Sequence, residues 1–179
     1  MSKPRQMFET ELNAVKGWPS PYAVDKHADA HLEEGEVIYG GDVMSLNADG
    51  KFRLGLAAGA MAIFALQNSF DFDVVGDEGN LVGGGDSTPR MSGLVAVGAY
   101  ELETTQFVAE SSYAPNTPLT SAAPGEADAG KLDVGELYVN DICGVCSNGL
   151  VPNDRYLNKA GKNVLRFWPV WLPAMTAED

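Results

Sequence analysis

Two thiols and two imidazoles in this chain fall at metal-ligand spacings: Cys143-Gly144-Val145-Cys146 and His27-Ala28-Asp29-Ala30-His31. Two thiolates at C-x-x-C spacing plus two histidines at i, i+4 would complete a tetrahedral zinc set. A dithiol of the same spacing can also exchange disulfides, but that chemistry wants the pair where a strand meets a helix in a βαβ unit. Here Ser147-Asn148-Gly149 follows at once, which is turn chemistry. The two halves of the zinc set also lie far apart in the chain. Small buried cysteines in a turn are therefore the expectation, with no metal and no cofactor bound.

Asp71-Phe72-Asp73-Val74-Val75-Gly76-Asp77-Glu78-Gly79 resembles a calcium loop, with Gly76 at the template's glycine position. Val75 stands where that template wants Asp or Asn, and Val82 where it wants a bidentate Glu, so a solvated acidic loop is expected. Gly83-Gly84-Gly85-Asp86-Ser87-Thr88 lacks the lysine of a phosphate-binding loop. No G-x-S-x-G or H-E-x-x-H occurs, and both histidines fall in the irregular first part of the chain, so a histidine-based triad needs distant assembly. Paired carboxylates arise by chance among 25 acidic residues. No positive signal for an enzyme remains.

The charge balance is 12 basic against 25 acidic residues, a formal net charge of −13. Such a chain repels phosphate backbones, so direct nucleic-acid binding is not expected. A basic protein surface is a fitting partner, because complementary charge raises association rate and specificity. Eight acidic residues and one lysine (Lys131) lie between Glu101 and Asp141, whereas Arg155, Lys159, Lys162 and Arg166 form an acid-free basic stretch. The apolar run Leu54 to Leu66 is shorter than the roughly 20 residues that span a bilayer and reads as buried core, so no membrane partner is expected. No apolar core follows Met1-Ser2-Lys3-Pro4-Arg5, and two cysteines make no disulfide scaffold, which fits folding in a reducing cytoplasm.

Twenty glycines and ten prolines favour strands joined by turns over helices. Residues 1–35 read as an N-terminal arm, with a short helix from Arg5 to Val15 on which Phe8, Leu12 and Val15 share a face. Gly17-Trp18-Pro19-Ser20-Pro21-Tyr22 breaks that helix, and Trp18 and Tyr22 are candidate partner-binding residues because aromatics are costly in water and common at interfaces. Residues 36–179 read as one β-rich domain. Val37 to Tyr39, Asp42 to Leu46 and Lys51 to Leu54 are short strand-like runs, the last two joined by Asn47-Ala48-Asp49-Gly50, a hairpin signal. Ala62 to Leu66 and Gly93 to Phe107 continue the pattern, the latter as two strands or one bent at Gly98, while Asp71 to Pro89 reads as a long loop excursion. Val164 to Trp171 is the final strand, placing Leu165, Phe167 and Trp171 opposite Arg166 and Trp168. Trp168, on the polar face, is a third candidate partner-binding residue. Strands at such spacing predict an antiparallel β-sandwich, jelly-roll-like, or a barrel with long loops.

Gly93-Leu94-Val95-Ala96-Val97-Gly98-Ala99-Tyr100-Glu101-Leu102-Glu103-Thr104-Thr105-Gln106-Phe107, followed by Tyr113-Ala114-Pro115-Asn116, resembles phrases of tailed-phage head decoration (cement) proteins. So do Asn163-Val164-Leu165-Arg166-Phe167-Trp168-Pro169-Val170-Trp171-Leu172-Pro173 and the hairpin from Gly41-Asp42-Val43 to Asp49-Gly50-Lys51. The resemblance covers roughly residues 35–173 and extends neither to the first 35 residues nor to the C-x-x-C. It implies a small β-fold without enzymatic activity that binds assembled major capsid protein on the outer face of the virion and stabilises the shell. It also implies a homo-oligomer, a trimer or dimer, for which closed symmetry is the general rule. A tail or fibre-head module and a carbohydrate-binding β-sandwich with Trp168 and Trp171 as a stacking platform are the alternatives.

Overall fold

The computed structural model describes residues 12–16, 27–66, 68–69, 90–96, 101–109, 111–152 and 163–175. Eleven strands build the described chain: β1 (Leu12–Lys16), β2 (His27–His31), β3 (Val43–Leu46), β4 (Phe52–Leu54), β5 (Ile63–Ala65), β6 (Arg90–Val95), β7 (Glu101–Thr104), β8 (Pro118–Ser121), β9 (Leu132–Val134), β10 (Ile142–Pro152) and β11 (Asn163–Leu172). They form two antiparallel sheets, ordered β1-β7-β11-β10-β8-β9 and β2-β6-β5-β3-β4, and no α-helix occurs among the described residues. The protein is mainly β, as the turn-rich composition predicts.

The six-stranded sheet curls back on itself. Just past β7, the Gln106 carbonyl accepts the Leu132 amide and the Val108 amide donates to the Leu132 carbonyl, so β9 meets the chain that leaves β7. Five strands thus approach a barrel, with β1 paired alongside β7. β11 lies inside the sheet, between β7 and β10. Its Pro169 cannot donate to a ladder, and it sits where the β10 register shifts between Ile142 and Gly144, beyond the reach of the β7 pairing.

The inner strands of the five-stranded sheet are buried on both faces. Val43, Phe64 and Leu94 join a core shared with Leu102, Leu119, Cys143, Leu165 and Phe167 of the other sheet. The Phe64 and Phe167 rings lie 5.1 Å apart across it. Met44, Ile63, Ala65 and Met91 point the other way, into a smaller core closed by Leu32, Ile38 and Phe52. Two-sided burial explains why Ile63-Phe64-Ala65 is apolar throughout instead of alternating. In the β3–β4 hairpin the Asn47 Oδ1 accepts the amides of Asp49 and Lys51, and Gly50 takes a φ of +72°. Gly55 joins the sheets: at φ +97°, its amide donates to the Val43 carbonyl, and the next amide, of Leu56, donates to Ala122.

Three expectations are corrected here. Leu12–Lys16 is a strand on β7, not the end of a helix from Arg5 to Val15; cross-strand pairing with Thr104, Glu103, Leu102 and Glu101 outweighs the weak helical pattern. Strand pairing does not begin at residue 36, because β1 and β2 lie within the presumed arm and supply one edge strand to each sheet. Val37 to Tyr39 forms no strand: Ile38 is buried with its amide on Ser69 Oγ, while the Tyr39 amide goes to the Asp42 carboxylate and that of Gly40 to Asn68 Oδ1. The Asp71 to Pro89 excursion and residues 5–11 of the expected helix lie outside the described residues.

Candidate docking surface

The C-x-x-C sits in strand β10, not in a turn, and Ser147-Asn148 is a bulge where the pairing skips from Cys146–Phe167 to Gly149–Arg166. Both thiols point into the shared core. Burial pushes the Cys143 thiol up to about 12 and that of Cys146 upward too, so both remain protonated near neutral pH. Cys143 Sγ donates to the Leu119 carbonyl at 3.5 Å, and Cys146 Sγ accepts the Gly149 amide at 3.1 Å. His27 and His31 lie on β2, an edge strand of the other sheet, and among the described residues no group of three or more His, Cys, Asp or Glu could hold a metal ion. The structure does not assemble the four-ligand set.

Trp18, Tyr22, the Asp71–Gly79 loop and the Gly83–Thr88 loop lie outside the described residues. Trp168 stands on β11 opposite Val145 and is 45% exposed. Two residues earlier, Arg166 Nε pairs with Glu103 at 3.2 Å, and Glu103 is only 1% exposed. A second buried carboxylate, Glu101, accepts the Ser147 hydroxyl. Two buried carboxylates of β7 thus meet polar groups of β11 and β10 on the strands around Trp168.

A larger apolar surface escapes sequence reading. Between β9 and β10, Leu137, Tyr138 and Val139 are exposed, Tyr138 by 68% and Val139 by 63%, and Met175 beside them by 67%. Water-facing apolar groups at this density mark interaction surfaces. The loop is tightly built. Glu136 N donates to Asn140 Oδ1 at 2.8 Å, and the Val139 and Asn140 amides return to the Glu136 carbonyl. Tyr138 adopts φ +72°, a left-handed conformation uncommon for an aromatic residue, and its carbonyl accepts the Met175 amide at 3.1 Å. Asp141 anchors the loop from below: its carboxylate takes the amides of Gly59 at 2.7 Å and Ala174 at 2.8 Å, and its carbonyl takes the Thr120 hydroxyl. So many fixed bonds let three apolar side chains project without collapsing onto the sheet.

Next to this surface opens a cleft of about 470 Å³ whose apolar lining includes Ala58, Ala122, Val134 and Val139. Asp128, Asp133 and Asp141 also line it, with no lysine or arginine among the lining residues. Asp128 pairs with Lys131 at 2.8 Å, and Asp133 Oδ1 takes both the Ser111 hydroxyl and the Val134 amide. The arrangement offers an apolar knob beside an acidic hollow, which suits binding to a protein surface. The sequence signal that marks it is Leu137-Tyr138-Val139, three large apolar residues in a row set between Glu136 and Asn140. Comparison of the chain with protein-family models, with curated proteins and with solved structures finds no match.

Proposed function

We propose that this chain is a structural virion protein that decorates the outer surface of an assembled capsid shell and stabilises it. The observation that carries the reading is the rigid apolar projection of Leu137, Tyr138, Val139 and Met175 on a body made of strands. Exposed aromatic and methionine side chains are the groups that protein interfaces favour. The likeness of the Gly93–Phe107 and Asn163–Pro173 phrases to head decoration proteins points to a shell of major capsid protein as the partner, approached by a homo-oligomer, a dimer or trimer. A net charge of −13 suits an outer face turned away from packaged DNA.

A protein that binds the assembled shell but not free subunits stabilises the shell by mass action, about 2.7 kcal/mol per site at a free concentration a hundred times Kd. The test is to strip the protein from virions, measure the temperature at which capsids rupture, and add the purified protein back. Restored rupture temperature with a fixed copy number per major capsid protein is the expected result; an unchanged temperature with no rebinding refutes the reading. A second reading rests on the half-exposed indole of Trp168, which could stack on a sugar ring. Binding of the isolated protein on a glycan array, lost in Trp168→Ala, would favour it over decoration.

A further inference from the structure

Resting on that reading, we infer that the Tyr138 surface receives a segment of the shell protein in which an apolar side chain is flanked by lysine or arginine. The apolar half of the match follows from Leu137, Tyr138, Val139 and Met175, which are exposed together and held by the Tyr138–Met175 backbone bond. The cationic half follows from the adjoining cleft, which Asp128, Asp133 and Asp141 line and where Lys131 pairs with Asp128. Asp141 is already engaged by two amides and Asp128 by Lys131, but Asp133 makes both its bonds through Oδ1. Its Oδ2 accepts nothing among the described residues, and a carboxylate offers about four lone-pair sites in all. A guanidinium or ammonium reaching past Val139 meets complementary charge in a partly desolvated hollow, where such pairs are stronger than in open water.

The same charge argues against other occupants. A second copy of this chain carries a net charge of −13 overall, so only its basic stretch from Arg155 to Arg166 could match the hollow, and the sedimentation mass of the free protein separates that contact from a shell partner. Nucleic acid and anionic lipid headgroups are repelled by the acidic hollow. The partner that fits both halves is a basic and apolar protein segment, and the aspartates set its register because a misplaced cation would leave its charge unpaired.

Binding of the full-length protein to stripped shells at 0.15 M and 1 M salt tests this. The wild type is compared with Tyr138→Ser/Val139→Ser, with Asp128→Asn/Asp133→Asn, and with Glu34→Gln/Asp49→Asn, which removes equal charge from exposed positions elsewhere. The apolar pair is expected to weaken binding by about tenfold or more at both salts, as central aromatic contacts do. The aspartate pair is expected to weaken it by about tenfold at 0.15 M and much less at 1 M, where the Debye length falls to about 3 Å. The Glu34/Asp49 control should bind like the wild type. If either pair melts at a lower temperature than the wild type, Met175→Ser repeats the apolar test at a single exposed side chain, and Asp133→Asn alone repeats the charge test while keeping an oxygen acceptor for Ser111. Wild-type protein that does not rebind the shell overturns the decoration reading itself. Rebinding that these variants leave unchanged, or a control that loses as much as the aspartate pair, overturns this inference alone. So does an apolar variant that changes the sedimentation mass of the free protein, which would make the surface a contact between copies.

Discussion

Asp141 and Gly59 stand 82 positions apart in sequence, yet the Asp141 Oδ2 accepts the Gly59 amide at 2.7 Å. Its other oxygen takes the amide of Ala174, so one side chain ties the β4–β5 loop and the segment after β11 to the start of β10. Asp141→Ala should lower stability by roughly 1.5–3 kcal/mol, the usual worth of a hydrogen bond to a charged group. Hydrogen exchange should show faster exchange at Gly59 and Ala174, with β3 and β5 unaffected; uniform acceleration would contradict the local role.

Removing residues 1–31 should destabilise both sheets, because the deletion takes β1 from β7 and β2 from β6. The bared edges of β6 and β7 would invite pairing between molecules. A lower melting temperature together with concentration-dependent aggregation is the expected result. A truncate that melts like the full chain would mean that β1 and β2 add no stability.

Gly55→Ala is the glycine substitution with the sharpest expected cost. At φ +97° an added Cβ is strained, and it would stand 2.7 Å from the Ala122 carbonyl oxygen, which is backbone and cannot swing aside. A loss of about 2–4 kcal/mol in urea unfolding is expected. Gly59→Ala, at φ +70° and with open space around it, should cost less.

Alkaline pH should unfold the protein in a defined window. Burial raises the Cys143 thiol from 9.0 to about 12, and burial followed by the Asp133 charge raises the Tyr113 phenol from 10.0 to about 12. Both groups lose their protons in the unfolded chain first, so the unfolded state binds fewer protons and stability falls as pH rises from about 9 to about 12. Below pH 9 their contribution is fully present. Cys143→Ala should flatten the lower part of that slope; an unchanged slope would show that the thiol is not the titrating group.

Arg166→Met should be more harmful than Arg166→Lys. Glu103, 1% exposed, would lose the guanidinium held at 3.2 Å. Breaking such a pair from one side costs about 3 kcal/mol, and Glu103→Gln in the same protein should recover part of it. Denaturant midpoints of the two single variants and the double give the coupling directly.

Much of the architecture was legible because turns and apolar runs have local causes. Asn47 to Lys51 announces its hairpin through a side chain that bonds its own backbone, and Leu165 and Phe167 alternate with Arg166 and Trp168 along β11 as a half-buried strand must. β1 was not legible: Leu12 and Val15 fit a helix face, and only β7, far along the chain, makes them a strand. The cysteines looked like turn residues because Ser147-Asn148-Gly149 follows them, but that triplet is absorbed as a bulge within a long pairing. The docking loop was hidden for a different reason. Leu137-Tyr138-Val139 looks like core in isolation, and its exposure depends on how β9, β10 and the Met175 segment happen to surround it.

The place of β11 also bears on how the molecule is made. It is the last of the described strands to be synthesised, yet it slots between β7 and β10 with pairing on both sides. During translation those two earlier strands wait with facing edges unfilled, and β1 gains its own partner only when β7 is already out. Assembly of the barrel-like sheet is therefore a late, non-local event, of the kind that slows folding and leaves the nascent chain dependent on protection from other nascent chains.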